Sequence, residues 1–196
     1  MRLTILLTML LTVGESALGA ISIGLSGASS QSNYSLETQK SSILIANVSI
    51  GIASFLRIGL THRRSFEKKA GLKKAQVSDT QIIYYEFEDN TDIVTNSVDL
   101  TAILYPGVVS PFVFGGVARR DYYTEVRYPG SASKGKTTLP AVPNYGLGIA
   151  VQLSRQFSLK ITQTYTPGLS TTIEDGEEVS KAVNDTYTQI GIGYRI

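Results

Sequence analysis

The chain has 196 residues, 42% of them hydrophobic, which is enough for one domain with a sizeable core and short for two. A formal net charge of +2 is too small to point to nucleic acid. The absence of cysteine excludes disulfides, thiol catalysis, cysteine zinc sites and a lipidated N-terminal cysteine.

The N-terminus reads as a secretory signal. Met1 and Arg2 supply positive charge, Leu3 to Val13 are apolar or threonine, and "GESALGA" offers small residues, with Ala17 and Gly19 flanking Leu18. The run is well short of the ~20 apolar residues a membrane helix needs. The expected division is a signal peptide over residues 1–19 and a mature domain over 20–196.

After the signal, apolar and small polar residues alternate with period two, the signature of half-buried strands. The first strand is "AISIGLSG". In "SILIANVSIGIA", Leu44, Ala46, Val48, Ile50 and Ile52 share one face and Asn47, Ser49 and Gly51 the other. "FLRIGLTH" follows almost at once, so these two form a tight hairpin turning near Ala53 to Phe55. "SVDLTAIL" and "PFVFGGVARR" make a second pair, "NYGLGIAVQL" and "FSLKITQTY" a third, and "YTQIGIGYRI" closes the chain. The predicted strands cover residues 20–29, 42–53, 55–66, 93–104, 111–122, 144–154, 157–167 and 184–196. Their connections alternate between short turns and long polar segments (30–41, 67–92, 123–143 and 168–183), and all six prolines fall in turns, loops or strand ends. The expected fold is all-β, an eight-stranded antiparallel up-and-down barrel that crosses a membrane.

A soluble barrel would turn its apolar face inward and cover the other with lysine and glutamate. Here the second face is serine, threonine, asparagine, glutamine and glycine, with Arg57, Asp99, Lys160 and Arg195 as scattered charges. These four are the expected polar core of a lumen filled by side chains. Arg57 and Asp99 lie on adjacent strands and are expected to pair, while Lys160 and Arg195 need acceptors such as Gln152 or Asp99.

The ending "GIGYRI", with Gly191, Gly193, Tyr194 and Arg195, resembles the Gly-x-Gly-Tyr-Arg-Phe close of the small OmpA/OmpX-type barrels, the OmpX and Ail branch in particular. The motif covers about the last ten residues, and the eight-strand layout extends the resemblance over the mature chain. The resemblance implies a place in the bacterial outer membrane and a last strand read by the barrel-assembly machinery. This chain ends in Ile196 where that pattern has an aromatic.

Catalytic and metal signals are weak. The single histidine, His62, is three residues from Ser65, and residues three apart on a strand face opposite sides, so they cannot form a base and nucleophile on one wall. "EDNTD" (88–92) and "EDGEE" (174–178) lack the alternating ligands of a calcium loop. No enzyme activity, metal or cofactor is expected.

Two segments beyond the barrel point to surface contacts. Arg63, Arg64, Lys68, Lys69, Lys73 and Lys74 climb from the third strand to the level where lipopolysaccharide offers phosphates. "DTQIIYYEFED" (79–89) is expected to pair with the upper third strand as a hairpin projecting beyond the membrane, with "RRDYYTEVRY" (119–128) extending the fifth strand beside it. Ile83, Tyr84, Tyr85 and Phe87, with Tyr122 and Tyr123, would then either form an aromatic sheet edge open to a partner strand or cover one another as cross-strand pairs. The expected function is envelope structure with surface binding by a monomer. Its partners would be outer-membrane lipid, lipopolysaccharide, and a host, prey or envelope protein, without nucleic acid. A lipid A-modifying enzyme and a narrow channel are the alternatives.

Overall fold

The computed structural model describes residues 19–33, 36–78, 81–174 and 177–196. Eight strands follow in chain order: β1 (Ile21–Asn33), β2 (Glu37–Ala53), β3 (Leu56–Ser78), β4 (Gln81–Ile103), β5 (Val109–Tyr128), β6 (Ser131–Gln152), β7 (Phe157–Glu174) and β8 (Glu177–Arg195). Each pairs antiparallel with the next, and β8 returns to β1 to close a barrel. Apart from Gly19, the segment predicted as a signal peptide lies outside the described residues.

The faces are arranged as the alternation predicts. Leu44 and Val48 of β2, Leu60 of β3, Leu100 of β4 and Ile192 of β8 point outward and are exposed. Ser22, Ser49, Ser97, Asp99, Asn144, Thr162 and Thr164 point inward and are buried. This is the reverse of a soluble barrel, whose apolar rows fill the centre. The last residue belongs to the wall, because Ile196 N–H donates to Ile21 O at 2.9 Å.

Aromatic side chains rim the apolar band at both ends. Phe55, Tyr105 and Phe157 are exposed at the short-turn end, with Tyr194 packed 5.1 Å from Phe157 between ring centroids. Phe66, Tyr123 and a stacked Tyr145–Tyr165 pair mark the other end. Rings with an apolar body and a polar tip favour such a boundary. Just beyond Leu60 on β3, the outward ion pair Arg64–Asp92 (2.7 Å) shows that the band has ended.

At that end the strands run further than the sequence expectation. The hairpin expected of residues 79–89 with the third strand is present over the described residues, as is the extension of the fifth strand to Tyr128. The rest of segments 30–41, 67–92, 123–143 and 168–183, predicted as long polar loops, is largely strand as well. β3 and β4 stay paired up to Ser78 opposite Gln81, and β5 and β6 up to Tyr128 opposite Ser131. Alternation marks a strand only where its two faces meet different surroundings. Above the apolar band neither face is consistently apolar, so the strands continue while the period fades from most of the sequence.

Full closure is confined to the apolar band. β1 meets β8 only over residues 22–27 and 190–195, and β6 meets β7 only over residues 145–152 and 158–165. Higher up, the described residues of β7 and β8 pair with each other as a hairpin beside the sheet β1–β6. One rung above Tyr145 and Tyr165, the Thr166 hydroxyl donates to Asn144 Oδ1 at 2.8 Å. On the following rung the register would set Pro143 against Pro167, and neither can donate an N–H. Within an apolar surround every backbone group needs a partner in the wall; above it water can take that place.

Candidate functional site

The lumen holds two chambers rather than a filled core. The chamber nearer the short turns has a volume of about 210 Å³ and takes in all four charges predicted for the interior, Arg57, Asp99, Lys160 and Arg195. The predicted Arg57–Asp99 pair is absent. Asp99 instead accepts from Thr61 (2.8 Å), Ser97 (2.7 Å) and Asn144 (2.8 Å), and Arg57 donates to Ser22 Oγ at 3.2 Å. Asp99 sits two rungs too high for Arg57, since the register sets Asp99 opposite Gly59 and Arg57 opposite Thr101. Hydroxyls and an amide on three strands therefore satisfy the carboxylate first. The Lys160 side chain lies across the cross-strand pair Gly24–Gly193, where the missing side chains leave it room.

Arg63 and Tyr187 line both chambers and divide them. The Arg63 guanidinium stands 4.6 Å from the Tyr187 ring centroid and donates to Thr95 Oγ1 at 3.1 Å. The upper chamber, about 470 Å³, also meets Glu67, Arg120 and Asp185. Arg120 is 2% exposed and reaches from β5 to the β7–β8 hairpin, donating to Pro167 O (2.7 Å) and Asp185 Oδ2 (2.5 Å). It thus ties the hairpin to the sheet across the proline seam. Arg63 Nε, Arg120 Nε and Gln189 Oε1 are buried without a hydrogen-bond partner.

The predicted basic surface run divides between the faces of β3. Arg63 is 3% exposed and belongs to the lumen, so it is no surface cation. Lys69 and Lys73 share its inward parity, and Lys73 lies 4.9 Å from the Phe87 ring centroid. Arg64, Lys68 and Lys74 are exposed on the outer face. Arg64 pairs with Asp92 and Lys68 with Glu88, each at 2.7 Å, and the bonds from Lys68 and Asn90 hold the Glu88 carboxyl below its ordinary range. "EDNTD" is therefore a piece of β4 engaged by side chains of β3, not an acidic loop. Part of "EDGEE", Asp175 and Gly176, lies outside the described residues.

The predicted aromatic edge divides in the same way. Tyr84 and Tyr123 are exposed on the outside, and Ile83 is exposed near the tip of the hairpin. Phe87 and Tyr122 are buried on the inner side, so they cannot take part in an exposed edge. Tyr85 packs edge-on against Tyr128 at 5.7 Å. His62 Nδ1 lies 2.8 Å from Asn96 Oδ1 on the outer face, while Ser65 is buried inside, which keeps the two apart as their parity requires. Sequence reasoning missed Arg120 and Tyr187. The signal for Arg63 was present, because the parity that turns Arg57 inward continues through Thr61 to Arg63.

No protein-family model matches the chain, and no curated protein matches it in sequence. Among solved structures, the N-terminal β-barrel domain of Pseudomonas aeruginosa OprF superposes with a TM-score of 0.54 at 14% identity, covering 93% of this chain and 99% of that one. Neisserial surface protein A gives a TM-score of 0.50 at 14% identity, covering 91% and 99% respectively. At such identity the likeness is one of fold, and in fold this chain is like the small eight-stranded outer-membrane barrels of the OmpA type.

Proposed function

We propose that the chain is a non-enzymatic protein of the bacterial outer membrane that anchors a raised surface sheet and binds through it. The observation that carries this reading is the length of the strands. β3 and β4 have 23 residues each, about twice the 9–11 a membrane strand needs, so roughly half of each stands outside the bilayer. A sheet kept paired that far above its anchor holds Tyr84, Tyr123 and Lys74 at fixed positions. Rigid placement of exposed aromatic and basic groups favours binding over mere solubility. Export by the signal peptide and assembly by the barrel-assembly machinery complete the proposal.

The partners that fit are the phosphates of lipopolysaccharide on the outer basic face, and a host, prey or envelope protein at the aromatic tip. Arg64, Lys68 and Lys74 supply the basic face, with the first two already sharing their charge with Asp92 and Glu88. Vesicles containing lipopolysaccharide serve as the probe. A variant lacking residues 79–89 and an Arg64→Gln/Lys68→Gln/Lys74→Gln variant are purified in detergent and compared with the parent. Both variants should keep the heat-dependent gel mobility of a closed barrel. The triple variant should lose vesicle binding, whereas binding equal to the parent's would remove lipopolysaccharide as the ligand. Intact cell-surface attachment after loss of residues 79–89 would remove the tip.

A further inference from the structure

We infer that the chamber nearer the short turns is a binding site for a small, soluble phosphate-type oxyanion, held chiefly by Lys160 and Arg57. The chamber's lining carries five cationic side chains, Arg57, Arg63, Arg155, Lys160 and Arg195, against one carboxylate, Asp99. That carboxylate is already engaged by Thr61, Ser97 and Asn144. Among the described residues no ion pair joins Arg57 or Lys160 to any acid. The Arg57 guanidinium donates to Ser22 Oγ, and the Lys160 ammonium lies over Gly24, the next inward position of β1, so the two cations occupy neighbouring places on one wall. Like charges held together inside a wall are unfavourable unless an anion joins them.

The surroundings select the kind of anion. Ser22, Ser158 and Gln152 add neutral donors around the same space, and ammonium, guanidinium and hydroxyl donors together match the several acceptor oxygens of a phosphate. Access is from the short-turn end, where Arg155 and Gln156 line the mouth. The Arg63–Tyr187 stack covers the opposite end. Continuous pairing of the wall at this level leaves no gap for a lipid headgroup to enter sideways, which is why the ligand must come from solution.

The test is titration of inorganic phosphate into the full barrel in a zwitterionic detergent, read by calorimetry and by the unfolding temperature, with chloride at matched ionic strength as the control. Phosphate should bind and raise the unfolding temperature where chloride does not. Lys160→Met should weaken phosphate binding by about tenfold, the loss of one charge-assisted bond. Lys160→Arg, which keeps the charge, should restore it, and both variants are first checked for heat-dependent gel mobility. An Arg119→Gln variant, changed on the exposed outer face of β5, should bind phosphate as the parent does. Equal effects of phosphate and chloride, or unchanged phosphate binding in Lys160→Met, would overturn the assignment.

Discussion

Glu67 and Arg120 face the same upper chamber, and Arg120 pairs there with Asp185, while among the described residues no ion pair reaches Glu67. Glu67 lies above the Arg64–Asp92 pair that bounds the apolar band. Burial, and after it the neighbouring charge of Asp185, pushes the Glu67 carboxyl up. The folded barrel therefore holds this proton more tightly than the unfolded chain does. For an acid raised in this way, stability falls as pH climbs from the ordinary carboxylate pKa through the folded-state value, and the full penalty stands above it. Glu67→Gln should accordingly raise the unfolding temperature in detergent at about pH 8 and leave it unchanged at about pH 3, below the ordinary carboxylate pKa. A variant no more stable than the parent at the higher pH would show that Glu67 carries no such penalty. Parity alone puts Glu67 inside the barrel, but its nearness to Asp185 depends on how β8 leans over the lumen, and nothing local in the sequence encodes that.

Between β5 and β6, large and small residues alternate across the rungs: Phe112 lies opposite Gly148 and Phe114 opposite Gly146. Both rings turn into the lumen and cover the glycines, so a Cβ built on Gly148 would stand 2.5 Å from Phe112 Cζ. Gly115, on the outer face, has nothing within 4 Å of the place a Cβ would take. Gly148→Val should destabilise the barrel by about 1–3 kcal/mol, the usual consequence of overpacking. Gly115→Val should be tolerated, and the unfolding temperatures of the two variants in one detergent compare them directly. A Cβ on Gly148 would also stand 2.6 Å from the Ile161 carbonyl oxygen, so equal losses would mean that neither the Phe112 ring nor the β7 backbone confines the site. The strands inside the apolar band were legible because lipid and lumen demand opposite residues. Their upper halves were legible only where aromatics marked them, as in the hairpin of residues 79–89 with β3. Elsewhere water on the outside and a polar chamber on the inside accept the same residues. The stretch from Lys68 to Lys74 illustrates this: a long paired strand composed like a loop.

Across the whole molecule, the height of the closed ring matches the height of the apolar band. Pairing on both sides of the β7–β8 hairpin ends near the upper aromatic rim, where Tyr145 stacks on Tyr165. That agreement is expected of a wall built to leave no backbone group unpaired in hydrocarbon. Sequence parity was sufficient to orient the wall, because leucine and isoleucine rows opposite glycine and serine rows leave one sensible arrangement. It was not sufficient for the site: the excess of cations near Lys160 became visible only when Asp99 was seen to have other partners. The absence of cysteine makes the orientation directly measurable, since any introduced cysteine is the unique attachment point for a spin label. Labels at Leu60, Leu100 and Ile192 in lipid bilayers should relax strongly with dissolved oxygen and weakly with a water-soluble nickel complex, while a label at Tyr84 should do the opposite. Strong relaxation by nickel at Leu60, Leu100 and Ile192 would contradict the claim that these rows face lipid.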